Sequence, residues 1–162
     1  MSERLERDMR QALDLLVKAS VREIREQGHV ASGRGVRSLE TRVRRHGGLV
    51  IGEVLVNDYM MFVDSGTRPH FPPVRAILKW VKTIRPGLSE ASAKSMAWAV
   101  ATNMAKEGTP SRGSFQYSKN GRRREWTRFA AEASARGIDA ILEDSDWLQF
   151  VIDEVIRKAL RA

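Results

Sequence analysis

Cysteine is absent from the 162 residues, which excludes a disulfide framework and any cysteine-based zinc site. Histidine is scarce. His29, His46 and His70 stand far apart, and none lies four residues from another ligand type on a helical pattern, so no metal site is expected from them. No apolar run approaches the about 20 residues that span a bilayer, and Met1 to Asp8 carries charge where a signal peptide carries its apolar core. A soluble protein without cofactor or membrane association is the expectation, and the length fits a single domain with a core of its own.

What is abundant is arginine. Lysine and arginine together number 28 against 20 acidic residues, a formal charge of +8. Arg34, Arg37, Arg42, Arg44 and Arg45 form one cluster; Arg112, Lys119, Arg122, Arg123, Arg124 and Arg128 form a second. The last segment instead holds Glu143, Asp144, Asp146, Asp153 and Glu154. A basic balance can mean nucleic acid, an acidic protein surface or a solvated exterior, and charge this local fits distinct faces for distinct partners.

Periodicity divides the chain. Leu5, Met9, Leu13, Leu16, Ser20 and Ile24 recur at helical spacing up to about Gln27, with Ser2 as N-cap and Gly28 as stop. Gly28 to Gly35 is a loop, too short in glycine for a phosphate cradle. Val36 to Arg45 alternates as a strand, and Gly47-Gly48 signals a hairpin turn. Leu49 to Asn57 is a second strand, apolar on nearly both faces. Such a strand is central in a sheet or covered by another molecule.

Asp58 to Pro73 is a folded corner, because Gly66, Pro69, Pro72 and Pro73 stop either period from running through. Helices are expected at Val74–Ile84 and from Ser89 to Gly108, the second with a small-residue stripe of Ala93, Met96, Ala97, Val100, Ala101 and Met104. Thr109 to Gly121 is a long polar loop, functional or mobile. Two more helices close the chain, one from about Arg123 to Leu142 with a weak point at Gly137, the other after Asp144 or Ser145 with Leu148, Val151, Ile152, Val155 and Ile156 apolar. The class is α+β: an N-terminal helix, a small antiparallel sheet and a helical C-terminal half.

No constellation argues for catalysis. Asp64, Ser65 and His70 crowd one turn, whereas triad members arrive from separate elements, and no nucleophile elbow is present. Asp64 and Ser65 are expected to bond backbone amides of the corner. Trp80, Trp98, Trp126 and Trp147 sit in helical patterns and are expected in cores or interfaces. Arg122 to Arg124 at a helix start oppose the macrodipole, which points to an acidic partner as much as to solvent.

The corner, Tyr59-x-x-Phe62-Val63-Asp64-x-Gly66-Thr67-Arg68-Pro69-His70, followed by Pro72-Pro73-x-x-Ala76-Ile77-x-x-Trp80-Val81, resembles the HK97 gp10-like family of tailed-phage tail-completion and head–tail joining proteins, related to the lambda minor tail protein Z family. A later Gly108, Thr109, Arg112 and Phe115 also fits its pattern. The resemblance covers residues 1–115; residues 116–162 are a helical extension without a matching motif. Asp64 stands where the family has Glu, and Ser32 to Leu39 matches its loop only loosely.

The resemblance implies a non-enzymatic virion protein of the neck or tail, assembled in the host cytoplasm. It implies a homo-oligomeric, hexameric ring between portal, connector or head-completion proteins and tail terminator or tail tube proteins. Tyr59, Phe62, Asp64, Gly66, Thr67, Pro69, Pro73 and Trp80 are then expected to hold the corner's shape. Arg42, Arg44, Arg45, Arg112, Arg122, Arg123 and Arg124 are expected to meet partners or DNA passing through the channel. The competing expectation is a sequence-independent nucleic-acid-binding protein, marked by steep salt dependence.

Overall fold

A computed structural model describes residues 2–46 and 49–143. The expected last helix after Asp144, Trp147 and the Gly47-Gly48 turn lie outside the described residues. The elements are α1 (Ser2–Glu26), α2 (Arg34–Arg37), β1 (Glu40–His46), β2 (Leu49–Leu55), α3 (Tyr59–Ser65), α4 (Val74–Ile84), α5 (Glu90–Glu107), a 3₁₀ turn (Arg112–Tyr117) and α6 (Trp126–Glu143). A long N-terminal helix, a two-stranded antiparallel sheet and a helical C-terminal half make the α+β class. The described residues fall into two compact units, one built from residues 2–20, 39–46, 49–55 and 128–143, the other from residues 21–38 and 56–127.

In the first unit the hairpin lies on α1. Its register runs from Glu40 opposite Leu55 to His46 opposite Leu49, so Val43 pairs with Gly52 and Arg44 with Ile51. Residues opposite one another share a face. A side chain at Gly52 would strike Met9 and Leu13, which places Val43, Gly52, Thr41 and Val54 on the α1 side. Arg44, Ile51, Leu49 and Leu55 take the outer side. In α6, Gly137 does not break the helix, because the missing side chain leaves room for Leu15.

In the second unit α4 and α5 form a helical hairpin around Val81, Ala93 and Ala97, with Val74, Ile77, Leu78 and Met96 packed against it. Alanine at buried positions 93, 97 and 101 lets the backbones approach, as the small-residue stripe predicts. Enlarging Ala97 to Leu would overpack this seam by about 1–3 kcal/mol. Ser89 caps α5 by accepting the Ser92 N–H at 3.2 Å, and Gly108 ends it at φ +76°.

Two expectations need correction. Val36 does not start a strand: residues 34–37 make one helical turn, and β1 begins at Glu40. Local bonds outcompete the alternation there, since the Ser38 N–H closes the turn onto Arg34 and Gly35 carbonyls while its hydroxyl donates to Gly35 O and accepts from Asn57 N–H. The corner likewise begins as a helix. Tyr59 to Ser65 holds no breaker, Met60 is buried beneath it, and the bend starts only at Gly66.

Candidate functional site

Four of the residues that carried the family resemblance, Gly66, Thr67, Gly108 and Thr109, meet in the second unit. Thr67 and Thr109, 42 positions apart, pair reciprocally: Thr67 N–H donates to Thr109 O at 2.9 Å and Thr109 N–H to Thr67 O at 3.2 Å. Their hydroxyls stand 2.9 Å apart. Each threonine follows a glycine at φ +76°, and a Cβ on Gly66 or Gly108 would collide with the carbonyl of Thr109 or Thr67. Only glycine takes both this dihedral and this approach. The bridge is a two-residue sheet fragment locked by its own glycines.

Three residues before Thr67, near the end of α3, Asp64 reaches the start of α6. Its Oδ1 accepts the Thr127 N–H at 2.9 Å, its Oδ2 accepts the Thr127 hydroxyl at 2.8 Å, and its carbonyl accepts the Glu125 N–H at 2.8 Å. Asp64 thus caps a helix 63 positions downstream, satisfying orphan N–H groups and placing an acidic group at a positive helix end. The expected bond to amides of its own turn is replaced by this distant one. Ser65 acts as a donor instead, to Met61 O at 2.9 Å and Gly66 O at 3.1 Å. Buried Trp126 donates its indole N–H to Met60 O at 3.4 Å.

The end of α1 supplies the third side. His29 N–H reaches Ile24 O and Gly28 N–H reaches Arg25 O, the paired bonds of a Schellman stop with Gly28 at φ +73°. Gln27, fully buried, donates through Nε2 to Glu23 Oε1 and to Arg124 O, both at 3.0 Å, which leaves its Oε1 to accept from His29 Nε2 at 3.0 Å. Glu23 Oε1 also accepts from Asn120 Nδ2 at 3.0 Å and Arg122 Nη1 at 3.4 Å. Lys119 N–H donates to Glu26 O at 2.7 Å, so the polar loop after Thr109 is tied to α1.

The three arginines therefore act within the chain. Arg122 pairs with Glu23. Arg123 donates through Nη1 to the Gln27 and Gly28 carbonyls at 2.7 and 3.2 Å. Arg124 donates through Nη2 to Thr109 O at 3.2 Å. They precede α6 rather than open it, and Arg123 meets the negative end of α1, the sign the helix dipole favours. Burial lowers the Arg123 guanidinium from its usual range. Burial, then the Arg123 charge, lowers His29 to about 4.

Other candidates lie apart from this joint. Phe62 is 62% exposed and Trp80 38% exposed, and Pro69 and Pro73 are surface residues, Pro73 immediately before α4. Tyr59 covers Gly35 with its hydroxyl end. Arg44 pairs with Glu53 and Arg45 with Glu6, within the first unit, while Arg42 is exposed opposite Glu53. Arg112 is exposed, its backbone N–H bonded to Glu107. Nothing in the sequence marks Glu23, Gln27 or Asn120: polar residues at a helix end or in a loop carry no sign of which partners they will meet.

Asp64, Ser65 and His70 do not converge. His70 Nδ1 meets Arg68 O at 2.8 Å, and the other two bond as above. The described residues include no cluster of three metal-ligating side chains and no helix long and apolar enough to cross a membrane. The arrangement holds segments together. Compared with protein-family models, curated proteins and solved structures, the chain matches none.

Proposed function

We propose that the chain is a structural subunit of a tailed-phage virion, a neck or tail-completion protein that forms a ring between the head connector and the tail tube. One observation carries the reading beyond the resemblance: the outer side of the hairpin is uncovered. Leu49 is 66% exposed and Ile51 38% exposed on that side, among Arg42, Arg44 and Glu53, and the described residues give the sheet only two strands, so neither strand pairs with a third. Open edges invite further strands, and a repeated head-to-tail contact closes into a ring.

The joint supports the same reading in another way. Residues of the family-like motif hold α3, α5 and the start of α6 by hydrogen bonds, with no reacting group among them. A subunit whose work is to present fixed surfaces needs such bonds more than it needs a pocket.

Mass-resolved sizing of the purified protein, alone and with purified phage tails, tests the proposal. A closed oligomer, or binding of many copies to tail ends, is expected. A monomer at all concentrations that also ignores tails would overturn it.

A further inference from the structure

Among the exposed cations, those of α4 form a group apart. Arg75, Lys79 and Lys82 follow at spacings of four and three, which sets them on one helix face. Together with Leu78 and Thr83 they line the shallow depression on that face. Among the described residues no carboxyl group lines it. Lys82 does meet Glu90 of α5 at 2.6 Å, but Lys94 also lies 3.8 Å from the same carboxyl, so the neighbourhood keeps a surplus of positive charge. Those two cations hold Glu90 below the usual carboxyl range.

We propose that this face of α4 binds the phosphodiester backbone of double-stranded DNA without reading sequence. Arg75 to Lys82 spans about 10 Å of helix axis. One strand of a duplex presents about three phosphates over that length. The side chains are exposed at both Arg75 and Lys79, and α4 is held from behind by the Val81, Ala93 and Ala97 core, so the row is carried on a packed scaffold. An acidic protein is the poorer occupant. Protein interfaces are anchored by buried apolar or aromatic groups, and the one apolar residue in the depression, Leu78, is already packed against the α4–α5 core.

The arginine clusters fit this ligand less well. Arg44, Arg45 and Arg122 have carboxyl partners, and Arg123 and Arg124 bond to backbone carbonyls. The inference does not depend on a virion role, since it concerns a surface of the isolated chain.

Fluorescence anisotropy of a labelled duplex with the full chain, between about 50 and 200 mM salt, tests it. Binding should fall with salt at a log–log slope of about −2 to −3, from about 0.9 per phosphate contact. The double variant R75E/K79E should lose at least about ten-fold in affinity and shift the slope by about 2, while R42E/R112E should change little. Circular dichroism and thermal melting check that both variants fold. Three results would each overturn the proposal: no binding at the lowest salt, equal loss in R42E/R112E, or competition by polyglutamate as strong as by unlabelled DNA. The last would assign the face to acidic polypeptides.

Discussion

Thr67 and Thr109 exchange backbone hydrogen bonds across 42 positions of sequence, and the glycine before each is what lets them meet. This pair joins the turn after α3 to the end of α5. Asp64, three residues before Thr67, carries the connection on to α6 through Thr127. Arg124, three residues before Thr127, returns it to Thr109.

Gly66→Val should be among the most damaging single changes in the chain. A β-branched residue is strained at φ +76°, and its Cβ would meet the Thr109 carbonyl. A loss of about 3 kcal/mol or failure to fold is expected. Chemical denaturation reads it; a wild-type midpoint would remove the joint from the account of stability.

Asp64→Ala should cost about 1–2 kcal/mol, the worth of a helix cap. Asp64→Asn keeps an acceptor for the Thr127 N–H and should lose less. Equal losses in the two variants would mean that charge, not hydrogen bonding, sets the contribution.

Glu23 is 93% buried by side chain and backbone together (7% exposed) and serves Gln27, Asn120 and Arg122 through one oxygen. Glu23→Leu leaves those donors without their acceptor, and a cost of about 3 kcal/mol is expected. Glu23→Gln retains an oxygen at the same place and should fall nearer about 1 kcal/mol. Urea midpoints of the two variants separate a hydrogen-bond hub from a space-filling role.

Stability should fall as pH drops from about 6.5 towards 4. His29 is lowered to about 4 in the folded chain from 6.5, so between those values the unfolded chain binds more protons, and acid favours unfolding. Above pH 6.5 the contribution is fully present. Melting temperatures at pH 7 and pH 5 measure the effect, and His29→Gln should flatten it. An identical pH slope in that variant would place the titration elsewhere.

Leu49→Glu with Ile51→Glu tests the outer face of the hairpin. Both residues are exposed, so the fold should change by no more than about 0.5 kcal/mol. Sizing should show any oligomer reduced to monomers. An intact oligomer would mean that assembly uses another surface.

Much of the fold was legible in sequence because its signals are local. Apolar spacing gave α1, α4 and α5; Ser89, Gly28 and Gly108 gave their ends, each through dihedrals and caps that neighbours along the chain supply. The two strands were legible too, apart from the helical turn at 34–37, where Ser38 binds locally and the alternation of side chains gives no warning. The same local logic misread Asp64, whose carboxylate bonds 63 positions away, while Ser65 does bond within the corner, though as a donor to carbonyls.

The joint was only half legible. Gly66-Thr67 and Gly108-Thr109 stood out as motifs, yet nothing in their wording says that they pair. The arginines before α6 looked like a surface for partners because charge in a sequence carries no address. Residues along the chain determined which segments become helix or strand and where they stop, since those choices rest on contacts within a few positions. Tertiary structure alone decided that Asp64 caps α6, that Arg123 closes α1 and that Gln27 is buried, because buried polar groups take partners by proximity in space and not by order in the chain.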